Sequence, residues 1–186
     1  ACSQVNISNS TTQGSWVTYD PVSPNKSWTL PTTDGSKTVY VWFKDGATNE
    51  SGQYSDSITL DTAAPSTSDN WVDSAWTGTS PVTITLTPGA DTSGIKNTRY
   101  CIDTTDSCDP SGTAGTAGTS VSVTCAAGSN CTQYVRYRSE DNAGNIETTR
   151  SERVRQDKQI PTGSVSINSG ASYTTTAAVT LTLTCN

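Results

Sequence analysis

One stretch of this chain occurs twice. Residues 37–65 (KTVYVWFKDGATNESGQYSDSITLDTAAP) and 133–161 (QYVRYRSEDNAGNIETTRSERVRQDKQIP) align without a gap. Val39 falls on Val135, Asp45 on Asp141, Ala47 on Ala143, Asn49 on Asn145, Ser55 on Ser151, Asp61 on Asp157 and Pro65 on Pro161. The constant offset, 96 residues from Asp61 to Asp157, exceeds the roughly 20–50-residue periods of solenoids and propeller blades. The repeating unit is therefore a whole domain, and 186 residues have room for two.

The residues around the second copy read as strands. Residues 81–86 (PVTITL) alternate Val82, Ile84 and Leu86 with Thr83 and Thr85, the period of a half-buried strand. Further strands are expected at 70–76 (NWVDSAW, an edge), 96–103, 120–125, 133–138 and 150–156, with a turn at PGADTSG and a long loop through DPSGTAGTAGT. About seven short strands in 66–160 describe one intact β-sandwich. One Phe, no Met and no His among abundant Ser, Thr, Gly, Val and Ala predict lean, β-branched cores and no long helices.

The pattern then restarts. An edge strand is expected at 165–167, and 178–185 (AVTLTLTC) repeats PVTITLTP, setting Val179, Leu181 and Leu183 on Val82, Ile84 and Leu86. At the other end, residues 1–9 read as the third strand of such a domain, with 27–30, 37–43 and 55–60 completing it. The expected organisation is an intact domain (66–160) flanked by the C-terminal part of a split domain (1–65) and that domain's first two strands (161–186). The two pieces together span 91 residues against 95 for the intact copy. Alone, each piece leaves ladder groups unpaired and an apolar face wet. An intervening sandwich holds them roughly 35–45 Å apart by strand geometry. Residues 161–186 are therefore expected to complete 1–65 of the next copy or repeat by β-strand addition, a heterologous contact that propagates a filament.

A net charge of −6 argues against nucleic acid and anionic lipid as partners. No apolar run is long enough to span a bilayer, and Ala1 begins no signal peptide. Without His there is no Ser–His or Cys–His pair, and no phosphate-binding loop occurs, so an enzyme is not expected. The six Cys lack both His and C-x-x-C company, which favours disulfides in an oxidising compartment over zinc. Cys101 with Cys108 and Cys125 with Cys131 are local pairs. Cys2 and Cys185 come together where TLTCN of one copy meets ACSQV of the next; they either bridge that joint or remain thiols.

Three further groups of residues are candidates. In EDNAGN, Glu140, Asp141, Asn142 and Asn145, with Asp91 and Asp157 elsewhere, are hard oxygen donors. Asp141, Asn145 and Asp157 are the candidate ligands of a structural calcium ion, although the spacing matches no EF-hand and D-x-A-x-N also builds an Asx turn. Five sequons mark Asn6, Asn9, Asn25, Asn49 and Asn130 as glycosylation candidates, Asn25 and Asn49 being favoured as loop positions. Tyr40 and Trp42 stand opposite Val39, Val41 and Phe43, where the second copy carries Arg136 and Arg138. These four are surface-contact candidates, the rings serving as a sugar platform or meeting a neighbour's arginine, unless Trp16, Trp28 or a loop covers them.

With VWFKDGATNES…DSITLDTAAP, SEDNAGNIET and SINSGASYTTTAAVTLTL in view, the chain resembles the tandem immunoglobulin-like repeats of prokaryotic surface proteins: adhesin stalks, envelope-layer proteins and extracellular fibres. The resemblance implies tandem Ig-like β-sandwiches in an extended, secreted, cell-surface role and fixes no ligand. Two functions are expected on this basis. One is a structural subunit or repeat of an extracellular filament, its partners identical copies joined head to tail. The other is an adhesin or carbohydrate-binding module for surface glycans. Neither needs a cofactor beyond structural calcium.

Overall fold

The computed structural model describes residues 1–73, 76–113 and 115–186. In chain order its strands are β1 (Cys2–Ser8), β2 (Trp16–Thr18), β3 (Gly35–Asp45), β4 (Tyr54–Leu60), β5 (Thr67–Asp69), β6 (Val82–Pro88), β7 (Ile95–Asp103), β8 (Thr116–Ala117), β9 (Ser120–Val123), β10 (Asn130–Asp141), β11 (Arg150–Asp157), β12 (Gly163–Ile167) and β13 (Leu181–Cys185). They form sheets in the orders β2-β1-β3-β4, β5-β6-β9 and β11-β10-β7-β8, and a hairpin, β12-β13. The fold is all-β, of the immunoglobulin-like sandwich class. Packing divides the chain into two units. One comprises Ala1–Ser68, Thr87–Arg99 and Arg138–Thr149; the other comprises Asp69–Leu86, Tyr100–Tyr137 and Arg150–Asn186.

The second unit holds the main core. Alternation along β6 buries Val82, Ile84 and Leu86 and leaves Thr83 and Thr85 exposed. Facing them are Val121 and Val123 of β9, Val135 and Tyr137 of β10 and Val154 of β11, all buried, with Trp71, Tyr100 and Ile102 packed at the margin. The Tyr137 hydroxyl donates to Asp69 of β5. That bond ties the two sheets together across the core and, with burial as the larger cause, pushes the phenol far above its ordinary range. The predicted disulfides Cys101–Cys108 and Cys125–Cys131 are formed. The hairpin β12-β13 reproduces the β5-β6 pairing. The Asn186 N–H donates to Thr162 O (2.8 Å) as the Gly89 N–H does to Ser66 O (2.8 Å).

In the first unit the sequence repeat returns as a repeat of hydrogen bonds. Asp45 accepts the Asn49 N–H (2.9 Å) and Nδ2 (2.9 Å), and Asp141 accepts the same groups of Asn145 (2.8 and 2.8 Å). The residue before each Asn has positive φ, Thr48 at 69° and Gly144 at 96°, which Gly tolerates more readily than Thr. D-x-A-x-N is thus an Asx turn reversing the chain between long strands, β3 to β4 and β10 to β11. Beside the second turn lies a buried polar group. Ser139 meets the hydroxyls of Thr67 (2.6 Å) and Thr98 (2.7 Å), while Glu147 accepts the N–H groups of Thr67 and Ser139.

Several sequence expectations need correction. The edge strand predicted at 70–76 lies earlier, at β5, because Trp71 leaves the ladder to pack on the core and donate through Nε1 to Arg153 O; positions 74 and 75 of that prediction lie outside the described residues. The short strands β2 and β8 were not anticipated. Residues 27–30, expected as a strand, are irregular; among the described residues no strand pairs with them. The core account predicts that Ile84→Ala costs about 2–5 kcal/mol, measured as a lowered urea midpoint, whereas Thr83→Ala on the outer face changes it by less than about 0.5 kcal/mol.

Candidate interaction surfaces

Cross-strand register fixes the two faces of the first sheet. Opposite pairs Val5–Phe43, Ile7–Val41 and Val5–Val17, continued by Lys37–Ile58 and Val41–Tyr54, place Val5, Ile7, Val17, Val39, Val41, Phe43, Tyr54 and Ile58 on one side. Phe43 takes Tyr19 and Tyr54 edge-on, at 5.7 and 6.0 Å. By the 96-residue offset this is the face that β10 and β11 bury. Ile58 is 61% exposed where its counterpart Val154 is 1% exposed. The hairpin shows the same contrast: Leu181 and Leu183 are 53% and 70% exposed, their counterparts Ile84 and Leu86 0% and 2%. Val165 and Ile167, which pair with Leu183 and Leu181, are exposed beside them. On the sheet face Val17, Tyr54 and Ile58 are exposed and Val5 is buried, Val39, Val41 and Phe43 are half-buried, and Lys37 and Asp56 share the side; the hairpin face is exposed throughout.

The opposite face of the first sheet is closed. Trp42, a surface-contact candidate, is only 6% exposed. It lies across from Asn6, which in turn lies across from Trp16. The Asn6 side chain clasps both backbone groups of Gly14, at 2.8 and 2.9 Å, and Gln13 and Gln53 add bonds to Glu50 and Thr11. These bonds hold the 9–15 loop against Asn6, the residue across from Trp42. Tyr40 is half-buried, and Lys44 stands 4.1 Å over the Trp16 ring. Arg136 is engaged within its own chain by the Asp106 carbonyl, so the expected contact between it and an exposed Trp42 does not hold. Arg138 is half-buried on the outward side of β10.

The candidate calcium ligands separate. Asp141 and Asn145 sit together in the turn, and Asp61 and Asp91 join them, each of the three carboxylates placing one oxygen within 4.8 Å of the others. Asp157 is not in the group; it accepts the Gln159 N–H, as Asp61 accepts that of Ala63. Each of the three carboxylates takes backbone donors: Asp141 from Asn145, Asp61 from Ala63 and Ser93, Asp91 from Ser93. The Ser93 side chain is the first cause lowering the Asp61 carboxyl, and its N–H adds to it against the opposing effect of burial. Asn145 Nδ2 also reaches Asp61 O at 3.1 Å. The Asx turn is the reading of EDNAGN that this geometry supports. The repeat aligns Asp61 with the candidate Asp157, but its place beside the turn depends on a contact across 84 positions of the chain, which no local pattern encodes.

Among the sequons, Asn6 is withdrawn: it is buried and both ends of its amide are engaged. Asn9, Asn25, Asn49 and Asn130 are exposed. Cys2 and Cys185 are exposed thiols. No family profile and no curated protein matches the chain. Among solved structures, the fibronectin(III)-like modules of Clostridium thermocellum CbhA match 83% of this chain and 79% of their own at 14% identity, with a TM-score of 0.38.

The loop after β7 carries the clearest electrostatic signature. Asp103 accepts the N–H groups of Asp106, Ser107 and Cys108 and the hydroxyls of Thr105 and Ser107. Burial alone would raise its carboxyl, but these donors outweigh it and hold it at about 2. A carboxyl lowered by folding contributes stability that is full above its unfolded value, about 4, and is lost as pH falls through the folded one. Between pH 4 and 2 the melting temperature should fall more steeply for the unmodified chain than for Asp103→Asn, with the two converging near pH 2.

Proposed function

We propose that this chain is a structural subunit or repeat of an extracellular filament or surface fibre, in which the β12-β13 hairpin of one copy closes over the β1–β4 sheet of the next. The observation that carries this reading is the shared face. What β6 covers on β10 and β11 is half-buried on β3 and exposed at Tyr54 and Ile58 on β4, and what covers it is exposed on β13. Hydrogen bonding in the hairpin already matches that of β5-β6, so it is preformed to take their place.

Side-chain exchanges between the copies support the same joint. In the intact sandwich Thr67 meets Ser139 and Asp69 meets Tyr137. At the aligned positions the first sheet carries Phe43 and Val41, and the hairpin carries Gly163 and Val165. A large residue is answered by a small one, and a buried hydroxyl–carboxylate pair by two valines. Such matched exchanges keep a core filled without orphaned polar groups. The two disulfides favour an oxidising, extracellular setting. No helix among the described residues is long and apolar enough to cross a membrane.

The joint brings Cys185, at the end of β13, toward Cys2, at the start of β1. A bond between them, formed by loss of two protons and two electrons to dissolved oxygen, would lock copies covalently. The adhesin reading loses its main support with the burial of Trp42. Burying Val165, Ile167, Leu181 and Leu183 is worth about 1.5–3 kcal/mol per side chain, before association costs of similar total size. Leu183→Asp, which puts a charge in that interface, should weaken association at least about 100-fold, read as loss of assemblies in light scattering and negative-stain images. Thr182→Asp on the outer face should assemble normally. A Leu183→Asp chain that assembles as well as the unmodified one would sink the proposal.

A further inference from the structure

Strand β6 is flanked on both edges, by β5 and by β9. Its counterpart β13 has β12 on one edge and, among the described residues, no strand on the other. The first copy shows the converse. Residues 19–34 contain no strand, yet 27–30 (SWTL) repeats the serine–apolar–hydroxyl–apolar order of β9 (SVSV) and, like β9, stands just ahead of the long strand of its copy.

Residues 27–30 lie beside β1 and β2. Trp28 lines, with Ile7, Ser8, Gly14, Ser15 and Val17, an open hollow of about 420 Å³. Its Nε1 donates to Asn9 Oδ1 at 2.7 Å, and Asn9 Nδ2 donates to Thr29 O at 3.0 Å. Asn9 therefore holds the segment from the β1 side. An extended strand, however, needs a neighbouring ladder to satisfy its backbone.

We propose that residues 27–30 become a strand when β13 of a second copy pairs with them, in the register that β6 uses with β9. This rests on the head-to-tail reading above and adds the edge and the alignment of the joint. In the intact sandwich Val82 pairs with Val123, Thr83 with Ser122, Ile84 with Val121 and Thr85 with Ser120. Transferred residue by residue, Val179 of one copy faces Leu30 of the next, Thr180 faces Thr29, Leu181 faces Trp28 and Thr182 faces Ser27. Trp28 and Leu30 then point into the shared core, alternating with Ser27 and Thr29 outside. The hollow beside Ile7 and Val17 is filled from above by Leu181. A slip of one residue would turn Leu181 and Leu183 to solvent, so the apolar pattern selects this register over its neighbours.

Chains carrying Cys2→Ser and Cys185→Ser provide the test, so that only introduced thiols report. A Thr29→Cys chain is mixed with a Thr180→Cys chain, and separately with a Thr182→Cys chain, under mild oxidation. Directly opposite residues lie within disulfide reach, whereas a two-residue displacement adds roughly 6–7 Å along the strand and exceeds it. The 29/180 mixture should yield a reductant-sensitive heterodimer at about tenfold the yield of the 29/182 mixture, and amide exchange at 27–30 should slow on assembly. Chains that assemble by light scattering but bridge 29 to 182, or neither, would overturn the edge and register while leaving the head-to-tail joint standing. Chains that do not assemble at all would overturn both.

Discussion

A β-sheet with one apolar face is stable only when something covers that face, and the whole chain is arranged around this requirement. In residues 66–160 the cover is local. β6 and β9 close over β10 and β11, and the Tyr137–Asp69 bond fixes the closure at its margin. The first sheet presents the same strands in the same order of residues without that cover, and the hairpin presents the cover without the sheet. Neither half lacks internal order: β3 pairs with β1 along Tyr40–Asp45 and with β4 along Gly35–Val41, and β12 and β13 pair along five residues each. What each lacks is a partner layer.

The exchanges between the copies would keep the proposed joint distinct from the closure within 66–160. In the first unit Ser139 stands between Thr67 and Thr98, and Glu147 bridges two backbone N–H groups. The aligned position in the first sheet is Phe43, framed by two tyrosine edges. Strand β5, with Thr67 and Asp69, would bury polar groups without partners against Phe43 and Val41, at a cost of about 1–3 kcal/mol each. The hairpin, with Gly163 and Val165, brings no such groups. In the proposed joint, specificity would come as much from what the wrong pairing strands as from what the right one buries.

The legible parts of the sequence were those set by local rules. Val82, Ile84 and Leu86 alternate with threonines, and the burial follows that alternation; the Asp-x-Ala-x-Asn spacing encodes a turn that both copies build with the same bonds. Short-range cysteine pairs were legible for the same reason. The errors arose where a residue's fate depends on a distant segment. Trp42 sits on the outward side of β3, as its parity requires, and is buried across from Asn6, which holds the 9–15 loop. Asn6 looks like a sequon and is that loop's clasp. The 27–30 segment has the alternation of a strand, but alternation supplies only the face; the ladder must come from a neighbour.

The same dependence gives the proposed fibre its polarity. The sheet face and the hairpin face are different surfaces, so a contact between them cannot be two-fold symmetric, and each copy that uses one still offers the other. Growth by that contact has no closed end point unless the rotation per step happens to close a ring. The segments that lead out of the long strands carry repeated bonds: Asp61 and Asp157 cap them with the same short turn, to Ala63 and to Gln159, and Asn145 Nδ2 donates to the Asp61 carbonyl beside the Asx turn. Because the turn around Asn49 has the bonds of the turn around Asn145, the proposed joint between copies would have the same clamp available to it.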